Sequence, residues 1–143
     1  MVVKTKRTKF RLFLCCCLIG GLLAFIWGNS LLPGEDSGRL SGAVWEFLCR
    51  IFSFLATERG EYFVRKLAHF SEFAALGFCL CWLAGMLAKP WFFPLFTGCA
   101  VAITDECIQY FTPGRVCALT DMLIDSTGVL AGVLVLVMLC AIE

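Results

Sequence analysis

The chain has 143 residues, 60% of them apolar and 16% charged, with a formal net charge of +1 at pH 7. A soluble domain carries about a quarter charged residues and under half apolar ones. This composition therefore speaks against a water-soluble globular domain and for lipid as the solvent of much of the chain. With about 20 apolar residues needed per helical crossing, the length holds four or five crossings in one compact unit.

In chain order, residues 1–9 form a basic tail. Lys4, Lys6, Arg7, Lys9 and Arg11 have no acid among them. In front of a long apolar run this reads as a cytoplasmic topogenic signal rather than as a nucleic-acid contact. The first span is expected over 10–27. It ends in Trp27-Gly28-Asn29-Ser30-Leu31-Leu32-Pro33 with no small-x-small cleavage pattern, so it reads as a retained helix and not a signal peptide. Gly20-Gly21 offers a place for a neighbouring helix to come close.

Residues 28–62 are the most polar stretch. Pro33, Gly34 and Gly38 read as loop, and Leu40, Val44, Phe47, Leu48, Ile51 and Leu55 fall at helical spacing over 39–56. Glu46 and Arg50, four apart, can pair across a turn. This mixture predicts an amphipathic helix lying in the membrane interface. Further spans are expected over 63–88, 91–111 and 119–142. Lys89-Pro90 links the second and third as antiparallel neighbours, and Thr112-Pro113-Gly114-Arg115 forms a turn. The expected architecture is thus an all-α membrane protein, a four-transmembrane-helix bundle with an interfacial helix in its first outer loop. In this topology, which fits a multi-pass cell-membrane protein, both termini are cytoplasmic. The 28–62 loop and the Pro113-Gly114 turn are outside.

The ten cysteines include no C-x-x-C, which speaks against a zinc ribbon or a thioredoxin motif. Cys15, Cys16, Cys17, Cys79, Cys81, Cys99 and Cys140 sit in apolar runs, where cysteine acts as a small hydrophobe; Cys15 to Cys17 read as lipid-facing filler rather than as acylation sites.

The informative residues are polar ones inside the apolar segments. Lys66, His69 and Glu72 lie on the second span, Asp105, Glu106 and Gln109 on the third, and Asp121 and Asp125 on the fourth. Charged groups cost at least roughly 2.5 kcal/mol each in hydrocarbon, so they normally face a bundle interior or a wet cavity. At about 100° per residue, Asp121, Asp125, Gly128 and Gly132 share one face, with carboxylates above glycines. His69 and Glu72 share a face, as do Glu106 and Gln109. At about 1.5 Å of rise per residue, His69, Glu72, Glu106 and Asp125 fall within roughly 10 Å of one membrane face, which suggests one assembled site.

These residues also form ordered motifs. Arg65-Lys66-Leu67-Ala68-His69-Phe70-Ser71-Glu72-Phe73 resembles the K-x-x-H-F-x-E-Y signature of the VanZ-like family. Asp105-Glu106-Cys107-Ile108-Gln109-Tyr110-Phe111-Thr112-Pro113-Gly114-Arg115 resembles its D-E-x-x-Q-x-F-x-P-G-R motif. Asp121 to Gly128 resembles the D-x-x-x-D/N-x-x-G that follows. The likeness covers roughly residues 10–140, with Phe73 in place of the usual Tyr and Ile108 where His is frequent. It implies a small multi-pass membrane protein of the cell envelope, similar to one that raises resistance to the glycopeptide teicoplanin.

Two readings follow. In the first, the site binds or acts on a lipid-linked anionic headgroup or the glycopeptide itself. Glu106, Asp125, His69 and Glu72 then form an acid/base cluster, and Lys66, Arg115, Gln109, Asp121 and Asp105 contact substrate. No cofactor is expected, although His69, Glu72, Glu106, Asp121 and Asp125 are acceptable ligands for a hard divalent metal. In the second, the protein is a non-enzymatic accessory whose polar cluster is structural and whose outer helix meets a partner. A proton-coupled transporter is the third and weakest reading.

Overall fold

The fold, a computed structural model, describes residues 2–142, without the side chains of residues 2–5 and 58. The described residues are helical: α1 (Val2–Ser30), α2 (Gly34–Ile51), α3 (Glu58–Met86), α4 (Phe93–Phe111) and α5 (Leu119–Ile142), with a 3-10 turn at Ser53–Leu55 before α3. The basic tail is no separate segment, because α1 continues back through it.

Local chemistry sets the breaks. Pro33 precedes α2, whose first turn carries Glu35 and Asp36 and whose last turn carries Arg50, each charge placed to complement the helix dipole. The helix therefore begins at Gly34, five residues earlier than the apolar pattern indicates. Its i,i+4 ion pair is Arg39–Glu35 at 3.0 Å rather than Glu46–Arg50. Such an exposed pair contributes little. Thr57 caps α3, its Oγ1 accepting from the Gly60 N–H at 3.0 Å. Pro94 sits in the first turn of α4, where a missing N–H costs nothing. Gly114, with φ +73°, lets the chain reverse between α4 and α5.

Three described helices are long and apolar enough to cross a membrane: α1 from Lys6, α3 from Arg59, and α5. α4 is not among them, because Asp105, Glu106 and Gln109 lower its apolarity. All three of those side chains are buried.

α3 is the central helix, packed on α1, α4 and α5. Its seam with α5 is a backbone contact. A Cβ at Gly128 would meet the Phe70 carbonyl, one at Gly132 the Ala74 carbonyl, and one at Gly77 the Val129 carbonyl. From Lys66–Asp121 through Phe70–Gly128 to Ala74–Gly132 the paired numbers rise together, so α3 and α5 run parallel. Against α1 they run oppositely, since the Cys15 Sγ donates to the Cys79 carbonyl at 3.4 Å while Ile26 packs in the cluster of Phe73, Leu76 and Val129. Cys15 is thus a core residue and not lipid-facing filler, and Cys79 is buried with it, whereas Cys16, Cys17 and Cys140 are exposed. Gly20 and Gly21 have open space around them, so no helix uses them for close approach.

This arrangement brings the ends of α1 and α4 and the starts of α3 and α5 to the same end of the bundle. α2 lies across that end. It has no buried residue and is held by Gly34 N–H donating to the Pro113 carbonyl at 3.0 Å and Trp45 Nε1 donating to the Leu55 carbonyl at 2.7 Å.

Candidate functional site

The polar side chains of the spans separate into two linked groups. The inner group begins with Asp105, which is fully buried. Its Oδ1 accepts from the Ser30 hydroxyl at 2.6 Å and its Oδ2 from Gln109 Nε2 at 2.9 Å. Gln109 also reaches the Ser30 oxygen at 3.3 Å, and Thr112 donates to the Ser30 carbonyl at 2.9 Å. The helical period that places Gln109 near Glu106 places it still closer to Asp105, four residues back, and that pair forms. This network joins the end of α1 to the end of α4. Ser30 and Thr112 are functional neighbours that span-by-span reading passes over, because both stand at helix ends among ordinary loop residues.

Glu106 is also fully buried. Its Oε2 accepts from the Ala118 N–H at 2.8 Å, which ties α4 to the segment leading into α5. Its Oε1 has no partner. Asp125 is 1% exposed, and neither of its oxygens has a hydrogen-bond partner. The nearest basic group to it is His69, whose Nδ1 lies 4.0 Å from Asp125 Oδ1. Asp105, Asp125 and His69 converge from three helices: one ligand atom from each lies within 4.8 Å of the others.

The outer group lines a cavity of about 300 Å³ between α1, α2, α3 and the segment before α5. Its polar wall carries Arg65, His69, Glu72 and Arg115, with Asn29, Ser37 and Ser41. Its apolar wall includes Phe25, Leu32, Leu40, Val44 and Val64. Arg115 Nη1 donates to the Ser37 hydroxyl on α2, and Arg65 pairs loosely with Glu61 at 3.5 Å. The Nε atoms of both arginines and Glu72 Oε2 are buried without partners. Buried polar atoms normally find partners, so this wall has unspent capacity for a polar ligand.

His69 belongs to both groups, lining the cavity and standing next to Asp125. Lys66 does not line the cavity and is engaged in an ion pair with Asp121 across the α3–α5 seam. Asp105, Glu106, Gln109, Asp121 and Asp125 all stand behind the cavity wall rather than on it. Of the sequence-expected residues, His69, Glu72 and Arg115 therefore share the cavity. Asp105, Glu106, Gln109 and Asp125 are packed inside the bundle, and Lys66 and Asp121 form a partly exposed pair.

Residues 10–140 match the family model described as VanZ/LLP1. The chain belongs to the VanZ/LLP1 family. No curated protein and no solved structure matches it. Within this family member, the three motifs occupy one end of the bundle. The first lies along the start of α3, the second runs through the end of α4 into the Arg115 turn, and the third opens α5.

Proposed function

We propose that this VanZ/LLP1 member is a four-pass cell-membrane protein that holds an anionic, lipid-linked envelope headgroup in the cavity beneath α2, and so contributes to glycopeptide resistance of the teicoplanin type. The fourth crossing is α4. Its 19 residues extend about 28 Å at 1.5 Å per residue, close to a hydrocarbon thickness of about 30 Å, and its acids face inward. The basic start of α1 favours a cytoplasmic N-terminus. An even number of crossings then returns the C-terminus to the cytoplasm and turns the cavity outward, with α2 lying in the outer interface.

The observation that carries this reading is the composition of the cavity wall. Arg65 and Arg115 supply fixed positive charge and forked donors suited to phosphate or carboxylate. Phe25, Leu32, Leu40 and Val44 suit the start of a lipid chain. His69 and Glu72, one helical turn apart on α3, are positioned to exchange a proton with a bound group. Asp125 and Glu106 support them from behind.

Teicoplanin susceptibility of a sensitive host tests it. Wild type should protect, while Glu72→Gln and Arg115→Ala should lose protection at equal membrane abundance. Full protection by both variants would sink the headgroup reading.

A second reading is favoured by the Ser30–Asp105–Gln109 network, whose hydrogen bonds are satisfied internally. The polar residues then serve as interhelical fastening, with each bond contributing about 1 kcal/mol, and the protein acts as an accessory. That reading predicts loss of abundance, not loss of protection by abundant protein.

A further inference from the structure

We propose that His69, Asp105 and Asp125 form a binding site for one divalent first-row cation of the Mn²⁺ type at the back of the cavity. This goes beyond the headgroup reading and does not depend on it, since the cation is held by side chains alone.

Three observations point the same way. First, an imidazole nitrogen of His69 and one oxygen each of Asp105 and Asp125 lie within 4.8 Å of one another. Ligands about 2.1 Å from a metal stand roughly 3 to 4 Å apart, so a modest side-chain rotation closes the set. Second, Asp125 is 1% exposed with both oxygens unpartnered. A buried carboxylate normally pairs or coordinates a metal, and among the described residues no lysine or arginine pairs with Asp125 or Asp105. Lys66, the nearest cation along α3, is taken by Asp121. A dication with a neutral imidazole would cancel both carboxylate charges, which neither Ser30 nor Gln109 can do. Third, Asp105 is oriented by Ser30 on one oxygen and Gln109 on the other. Hydrogen-bonded ligands of this kind are the usual outer support of metal sites.

The donor set of two carboxylates and one imidazole suits Mn²⁺, Fe²⁺ or Zn²⁺ better than a soft cation. Because His69 also lines the cavity, an ion held by it would stand next to the space beneath α2. It could there meet an anionic oxygen of a bound headgroup.

The test uses the full chain, purified in detergent, stripped with chelator and titrated with Mn²⁺ alone. Mn²⁺ is the probe because the ten thiols of the chain, which would hold zinc, are poor ligands for it. Loss of the free-ion electron paramagnetic resonance signal reads occupancy. Wild type should bind one ion per chain, and so should Glu35→Gln on the exposed face of α2. Asp125→Asn and His69→Gln should each weaken binding at least about tenfold, and Ser30→Ala by about tenfold through the loosened Asp105. His69→Gln keeps the test sound should Asp125→Asn not fold, since the His69 side chain is only partly buried. Absence of stoichiometric Mn²⁺ binding by folded wild type, or unchanged binding in folded His69→Gln, would overturn the proposal. Either result leaves the susceptibility test of the headgroup reading untouched.

Discussion

Where α3 meets α5, glycines bring the two backbones into contact and a Lys66–Asp121 ion pair closes the seam. Where the first half of α3 faces α2 and the end of α1, a cavity lined by arginines, a histidine and a glutamate opens between them. One side of the central helix is scaffold and the other is site. The difference lies in side-chain size at helical spacing. Gly77, Gly128 and Gly132 remove the volume that would hold backbones apart, whereas the cavity side of α3 carries Arg65, His69 and Glu72. α2 correspondingly has no buried residue and is held through Gly34, Ser37 and Trp45.

The comparison predicts opposite responses to substitution. The largest effect should come from the seam. Gly132→Val places atoms against the Ala74 carbonyl and the Phe78 N–H. Overpacking a core typically costs 1 to 3 kcal/mol, and a backbone clash falls at the top of that range or above, about 3 kcal/mol. The protein should lose most of its membrane abundance, read by fluorescence-detected size exclusion. A stable Gly132→Val protein would show that the seam is not the scaffold.

Next, Arg115→Lys removes the forked donor that reaches Ser37 and leaves a point charge. Abundance should hold while protection in the susceptibility assay falls. A matched loss of both would move Arg115 from the site side to the scaffold side.

Ser30→Ala sharpens the boundary between the two. It leaves Asp105 and Gln109 each short of one partner in a buried setting, which should cost about 1 to 2 kcal/mol, seen as a lowered midpoint of thermal unfolding in detergent. The smallest effect is expected at Gly20→Ala, which meets open space. It should change stability by less than about 0.5 kcal/mol.

Much of this division was legible in the order of residues. The Asp121, Asp125, Gly128 and Gly132 stripe indicated a close-approach face, and Gly128 and Gly132 lie against α3. The common depth of His69, Glu72, Glu106 and Asp125 followed from counting turns from each helix end, and they occupy one end of the bundle. Gly20-Gly21 misled, because small size permits close approach without compelling it. Cys15 likewise was indistinguishable from its neighbours Cys16 and Cys17 by type, and only the rotation of α1 about its axis buries it.

The sequence by itself determined the solvent of this protein, its helical class, the inward polar stripes and the family to which they belong. Those are properties of composition and of a 3.6-residue period, which act within each helix. Tertiary structure alone decided that Ser30 would hold Asp105, that Arg115 would reach Ser37 and that Asp125 would be buried without a hydrogen-bond partner. The first two contacts join residues 75 and 78 positions apart. A periodic pattern states which face of a helix is polar, but the relative rotation and register of the helices choose which polar groups meet. That choice is made by packing, through the glycine seam on one side of α3 and the arginine-lined cavity on the other.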